Sequence, residues 1–146
     1  PLESTQQAEG LSRTPNEYVV LLVEDSSPGQ VVLRGMLLKL GYRVLSVDSG
    51  GEAIDVLRRE RVDVVVLGCP LNLVSGTSMG GQLLTLAACA KLPVLALFES
   101  ETEARQALQQ VDGITDYLIK PVRYEDVQHL MSEWLLQGPE GKSAGL

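Results

Sequence analysis

Short apolar runs alternate along this chain with segments whose apolar residues recur every three or four positions. Brief runs bounded by turn residues predict strands, and a period of about 3.6 predicts helices. The runs place strands at Tyr18–Val23, Arg43–Val47, Val62–Leu67, Pro93–Leu97 and Asp116–Ile119. The periodic segments place helices at about Gly29–Leu40, Gly51–Arg59, Met79–Ala90, Glu101–Gln110 and Arg123–Leu136. In the first helix Val32, Leu33, Met36, Leu37 and Leu40 form the apolar face, and Gly41 ends it. In the last, Val127, Leu130, Met131, Trp134 and Leu135 share one face, which makes Trp134 core-facing, with an interface role as the alternative. Gly80 and Gly81 weaken the third helix. From Leu83 to Ala90 that helix is apolar nearly all round, so it is either deeply buried or meets a partner.

Strands alternating with helices imply a doubly wound parallel α/β sheet with right-handed crossovers. The unbroken apolar runs of the first, third and fourth strands read as buried on both faces. Ligands of such sheets bind beyond the carboxyl ends of the strands. The chemistry is therefore expected just after Val23, Leu67, Leu97 and Ile119. Residues 1–17 and 137–146 are polar and read as linkers around a single domain at 18–136. The chain starts without Met, so a piece of a longer protein is expected.

Composition narrows the function. Aromatics are 4% against 45% hydrophobic residues, so the core is aliphatic. The net charge is −7 and no block of Lys and Arg stands out, which disfavours nucleic acid as a partner. No apolar stretch approaches the ~20 residues needed to span a bilayer. The polar N-terminus is no signal peptide, so no membrane contact and a cytoplasmic location are expected. Cys69 and Cys89 read as small buried hydrophobes in a reducing compartment. The single histidine, His129, excludes a His/Cys zinc site and reads as a surface residue.

At the strand ends, Glu24 and Asp25 follow the first strand. Such a pair can hold Mg²⁺, which takes hard oxygen ligands, or can simply precede a helix. Lys120-Pro121 follows the fifth strand, where a lysine neutralises acids or contacts a phosphoryl oxygen. Gly80-Gly81 follows no strand directly and lacks the spacing of a phosphate loop.

Together these features form an ordered set: Val23-Glu24-Asp25, Leu40-Gly41-Tyr42-Arg43-Val44, Ser49-Gly50-Gly51-Glu52-Ala53 and Asp116-Tyr117-Leu118-Ile119-Lys120-Pro121. The set resembles the receiver domain of two-component response regulators, over about Tyr18–Leu136. Leu21–Asp25, Gln30 and Leu38–Tyr42 resemble receivers of hybrid sensor histidine kinases in particular. The resemblance implies a flavodoxin-like (βα)5 sheet of strand order 2-1-3-4-5. It also implies that Glu24 and Asp25 stand for the Mg²⁺-binding acid pair, Lys120 for the phosphoryl-binding lysine with Pro121 after it, and Tyr117 for the aromatic readout. Two positions depart from the family. The acceptor aspartate falls on Gly68, and the Ser/Thr ending the fourth strand falls on Phe98. Glycine cannot form an acyl phosphate, and phenylalanine offers no hydroxyl.

The expectation is therefore a pseudo-receiver, not an enzyme, that binds proteins in a phosphorelay without accepting phosphate. Its expected partners are a histidine kinase core, another receiver or a second copy, through the fourth helix, fifth strand and fifth helix. No working cofactor is expected, with Glu24 and Asp25 left as weak Mg²⁺ candidates and as ion-pair partners of Lys120. Phe98 is expected to occupy the space into which Tyr117 would turn. Two alternatives stay open. One is phosphorylation on a substitute nucleophile such as Ser75 or Cys69; the other is a small-molecule-binding flavodoxin-like domain. Asp63 lies at the far rim of the sheet and is no candidate acceptor.

Overall fold

The computed structural model describes residues 14–68 and 79–136. Among them, five strands alternate with five helices: β1 (Val19–Val23), α1 (Ser27–Lys39), β2 (Arg43–Val47), α2 (Gly50–Arg59), β3 (Val64–Leu67), α3 (Met79–Cys89), β4 (Val94–Phe98), α4 (Glu101–Gln110), β5 (Asp116–Ile119) and α5 (Tyr124–Met131). The strands pair in parallel, in the order β2-β1-β3-β4-β5. This is the doubly wound flavodoxin-like arrangement expected.

Local chemistry starts three of the helices, α1, α2 and α4. The hydroxyls of Ser26, Ser49 and Ser100 accept the N–H of Gly29, Glu52 and Glu103 respectively, satisfying donors that have no partner inside the helix. Pro28 sits in the first turn of α1, where its missing N–H costs nothing. Gly41 follows α1 at φ +101, a conformation that glycine adopts without strain.

Two apolar layers flank the sheet. One joins Leu21, Val23, Val65, Leu67 and Phe98 to α2, α3 and α4. The other joins Val20, Leu22, Val64, Val66, Leu95 and Leu97 to α1 and α5. β1 is enclosed beyond its first residue, with Val20, Leu21, Leu22 and Val23 all at 0% exposure. At ~1.5–3 kcal/mol per buried Val or Leu side chain, these central strands dominate the burial energy.

Several sequence expectations shift. β3 starts at Val64, because Asp63 turns its side chain to accept the N–H of Val19 (2.8 Å) and pairs with Arg61 (3.0 Å) at the far rim. Val32, expected on the buried face of α1, is 54% exposed. The helix buries the narrower Leu33/Leu37 ridge, four residues apart. α3 buries Leu83, Leu84 and Ala87 but exposes Gln82, Thr85, Ala88 and Cys89, so it is not enclosed all round. Cys89, expected buried, is an exposed free thiol in the last turn. The helix expected over Arg123–Leu136 starts at Tyr124 and widens into a π turn over Ser132–Leu136. That turn leaves Leu135 buried and Trp134 half-buried against the α1/α5 layer. His129 is exposed, as expected. Cys69 and Ser75, named above, lie outside the described residues. Among the described residues no helix is long and apolar enough to cross a membrane.

Candidate functional site

The sheet's hydrogen-bond ladder runs one residue past its strands at the carboxyl rim. The N–H of Glu24 donates to Val47 O (3.1 Å), that of Gly68 to Val23 O (2.8 Å), and that of Lys120 to Phe98 O (2.7 Å). Three of the residues singled out in the sequence are thus fixed by the sheet itself. Gln30, on α1, donates its carboxamide to Glu24 O and Val47 O (3.1 Å each), tying the ends of β1 and β2 to that helix.

Glu24 is 2% exposed and turns its side chain inward. Oε2 accepts the N–H of Ser26 (3.0 Å). Oε1 lies 3.6 Å from Lys120 Nζ, an ion-pair distance too long for a hydrogen bond, and it has no hydrogen-bond partner. The carboxyl group lies in a slot between two glycines. A β-carbon on Gly29 would sit 3.1 Å from Glu24 Cδ and Oε1. One on Gly68 would sit 2.5 Å from Glu24 Oε1 and 2.9 Å from Leu33 Cδ1, closer than such atoms approach. Glu24 therefore fills the space that a side chain at position 68 would need.

Lys120 Nζ donates to Gly68 O (2.6 Å) and lies 3.4 Å from Glu99 Oε2. Its ammonium is thus surrounded by one carbonyl and two carboxylates. The peptide to Pro121 is cis. Asp25, expected to share this ion pair, is exposed; the acids facing Lys120 are Glu24 and Glu99. The reason is geometric: adjacent residues leaving an extended strand point to opposite sides, and Glu24 takes the inner one.

Beside this cluster opens a pocket of about 440 Å³, lined by Glu24, Val32, Leu33, Leu97, Glu99, Lys120 and Val122 among others. Its walls are mostly apolar.

Phe98 ends β4 at 4% exposure. Its ring meets Tyr117 edge-on, with centroids 5.9 Å apart at 67°. Tyr117 points the other way, its hydroxyl donating to Glu101 Oε1 (3.2 Å). The Glu101 carboxylate raises the Tyr117 pKa above its ordinary value, since a phenolate there would face a like charge. Further out, Trp134 Nε1 donates to Asp116 Oδ2 (2.9 Å).

The structure thus brings Glu24, Gly68 and Lys120 together, with Phe98 and Tyr117 alongside, and leaves Asp25 outside. Sequence reasoning missed Glu99 and Gly29. Both carried a signal: Glu99 directly follows the last residue of a strand, and Gly29 falls in the first turn of the helix facing the acid pair.

A parallel sheet of this order, with an acid after β1 and Lys-Pro after β5, defines a receiver of two-component signal transduction. The response regulator receiver domain family model matches residues 20–132, and the chain belongs to that family. It is 31% identical over 106 residues to Protein PilH of Pseudomonas aeruginosa, covering 73% of this chain and 88% of that protein. It is also 31% identical over 117 residues to the two-component response regulator ORR11 of Oryza sativa subsp. japonica, covering 80% of each. In three dimensions it is similar to the receiver domain of sensor histidine kinase PA1611 from P. aeruginosa, with 30% identity and a TM-score of 0.67, covering 81% of this chain and 97% of that one. That domain carries a magnesium ion coordinated in its active-site cleft.

Proposed function

We propose that this chain is a pseudo-receiver: a regulatory module of two-component signalling that binds other proteins and does not accept phosphate. One observation carries the reading. The carboxylate of Glu24 stands in the volume that an acceptor side chain at position 68 would need, 2.5 Å from its β-carbon. The site is thus built around the missing aspartate, and restoring the side chain requires Glu24 to move.

Two further features support it. Phe98 stands at the rim where the family offers a hydroxyl, and it packs against the ring of Tyr117. The Tyr117 hydroxyl donates to Glu101 on the other side, which is the arrangement a frozen readout would have. The donor set also does not fit Mg²⁺. A hard cation needs several oxygen ligands. Here one oxygen of Glu24, the sole buried acid among the described residues, is 3.6 Å from an ammonium, Asp25 is exposed, and Gly68 supplies no carboxylate, its carbonyl oxygen being taken by Lys120. Lys120 takes the part of a built-in cation, and the domain needs no metal.

On this reading the module carries out no catalysis. Residues 18–136 form it, with 1–17 and 137–146 as linkers, and a hybrid histidine kinase in the cytoplasm is the parent it suits. A kinase core, another receiver or a second copy would meet the α4-β5-α5 face, which presents Glu101, Tyr117, Pro121 and Trp134.

Incubation of the chain with acetyl phosphate and Mg²⁺, followed by intact-mass measurement, tests the proposal. The mass is expected to stay unchanged. A gain of one phosphoryl group would sink it and favour a substitute nucleophile. A second arm adds beryllofluoride and follows Tyr117 by NMR; its resonances are expected not to move.

A further inference from the structure

The opposite edge of the sheet from this face holds a second, unassigned feature. β2 is the terminal strand and pairs only with β1 among the described strands. The outermost bonds of that ladder are Arg43 N–H to Tyr18 O and Glu24 N–H to Val47 O, each 3.1 Å. They fix Arg43, Leu45 and Val47 as the residues whose backbone faces β1. In a parallel strand the N–H and C=O of one residue lie on the same side. Those of Val44 and Ser46 therefore face the open edge, two donors and two acceptors spaced for a further strand.

A groove of about 440 Å³ runs along this edge, lined by Arg34, Val44, Leu45, Ser46, Val47, Val56, Arg59 and Glu60. Its two sides differ. Toward α1, where Val44 packs, lie Arg34 and Ser46. The hydroxyl Oγ of Ser46 is buried and has no hydrogen-bond partner. Toward α2, where Leu45 and Val47 pack, lie Val56 and an Arg59–Glu60 pair (3.9 Å) that largely cancels its own charge. One side is thus cationic with an unused hydroxyl donor; the other is apolar.

We propose that this edge is a docking site for an extended acidic segment of a partner protein, added as a sixth strand. Alternate side chains of a strand point to opposite faces. A segment alternating acid and aliphatic residues would set carboxylates against Arg34 and Ser46 Oγ, and aliphatic groups against Leu45, Val47 and Val56. Main-chain bonds to Val44 and Ser46 would supply affinity, and the alternating pockets specificity. Charge also argues for a partner rather than a second copy. The groove carries two arginines against one glutamate, so two copies meeting edge to edge would bring like charges together. The ordinary role of charge at a sheet edge is to repel other strands. Here the residues whose backbone faces the open edge are Val44 and Ser46, the two groove arginines come from the flanking helices, and the strand's own exposed charge, Arg43, sits at its first position.

The test uses the full chain and a fluorescein-labelled glutamate–valine octapeptide, with anisotropy for affinity and hydrogen exchange for location. The peptide is expected to bind with micromolar affinity and to slow exchange at the amides of Val44 and Ser46. Arg34→Glu, a surface change that leaves the fold intact, is expected to weaken binding about tenfold or more, and Ser46→Ala several-fold. A peptide N-methylated on alternate amides is expected not to bind. Equal binding of the methylated peptide, no change at Val44 and Ser46, or indifference to Arg34→Glu would each overturn the proposal. A shift to dimer in the absence of peptide would overturn it in favour of self-pairing. The result is independent of whether the chain accepts phosphate.

Discussion

Glu24 and Gly68 share one volume: the buried carboxylate of the first ends 2.5 Å from where a β-carbon on the second would lie. Each residue permits the other. Gly68→Ala is therefore expected to destabilise the fold by about 1–3 kcal/mol through overpacking against Glu24 and Leu33. In a Glu24→Asp background, which withdraws the carboxylate by one carbon, the same change should cost less by at least ~0.5 kcal/mol. Urea unfolding of the four proteins of this cycle measures the coupling, and strict additivity would contradict the shared-volume account.

Lys120 balances the charge of Glu24 at 3.6 Å, and that glutamate is 2% exposed. Removing one partner of a buried pair leaves an uncompensated charge. Lys120→Met is expected to cost about 1–3 kcal/mol, below the range for fully buried pairs because the lysine side chain remains 26% exposed. Adding Glu24→Gln should return part of that loss. Denaturation midpoints of the single and double variants check both.

Tyr42 is buried, and burial with Tyr18 beside it pushes its pKa from 10.0 up to about 12. The folded state thus holds this proton longer than the unfolded chain does. The stability it contributes is whole below pH 10 and is lost as the pH climbs toward 12. The urea midpoint is expected to fall across that window, and less so in Tyr42→Phe. Tyr117 is raised as well, chiefly by Glu101, so Glu101→Gln should bring its titration back down, visible by phenolate absorbance.

Trp134 is the one tryptophan, and its indole donates to Asp116 Oδ2 at 2.9 Å. Trp134→Phe keeps most of the packing and loses this bond to a carboxylate, at an expected cost of about 1–2 kcal/mol. Asp116→Ala should alter the indole fluorescence of the folded chain while leaving that of the unfolded chain unchanged.

The sheet was legible because its strands are written as unbroken apolar runs, and β2 and β5 match their expected limits residue for residue. Helix phase was less so. Val32 falls on the apolar side by spacing, yet α1 buries only a narrow ridge and leaves it 54% exposed. Periodicity reports that a helix has an apolar side, not how wide a surface its neighbours cover. At the rim, the motif correctly brought Glu24 and Lys120 together but suggested Asp25 as a third member. Which of two adjacent acids turns inward depends on the space left by Gly29 and Gly68, and that is a property of packing across α1 and β3. Glu99 was missed for a related reason: its carboxylate joins Lys120 across two strands.

The lysine held between Gly68 O, Glu24 and Glu99 also bears on how such a module is governed. On the pseudo-receiver reading proposed above, a receiver whose central charge is supplied by its own chain would have no chemical input at that point and no lifetime to tune. Its influence on a signalling circuit would scale with how many copies the cell makes and with which surfaces are nearby, so that gene dosage and co-localisation become its control variables.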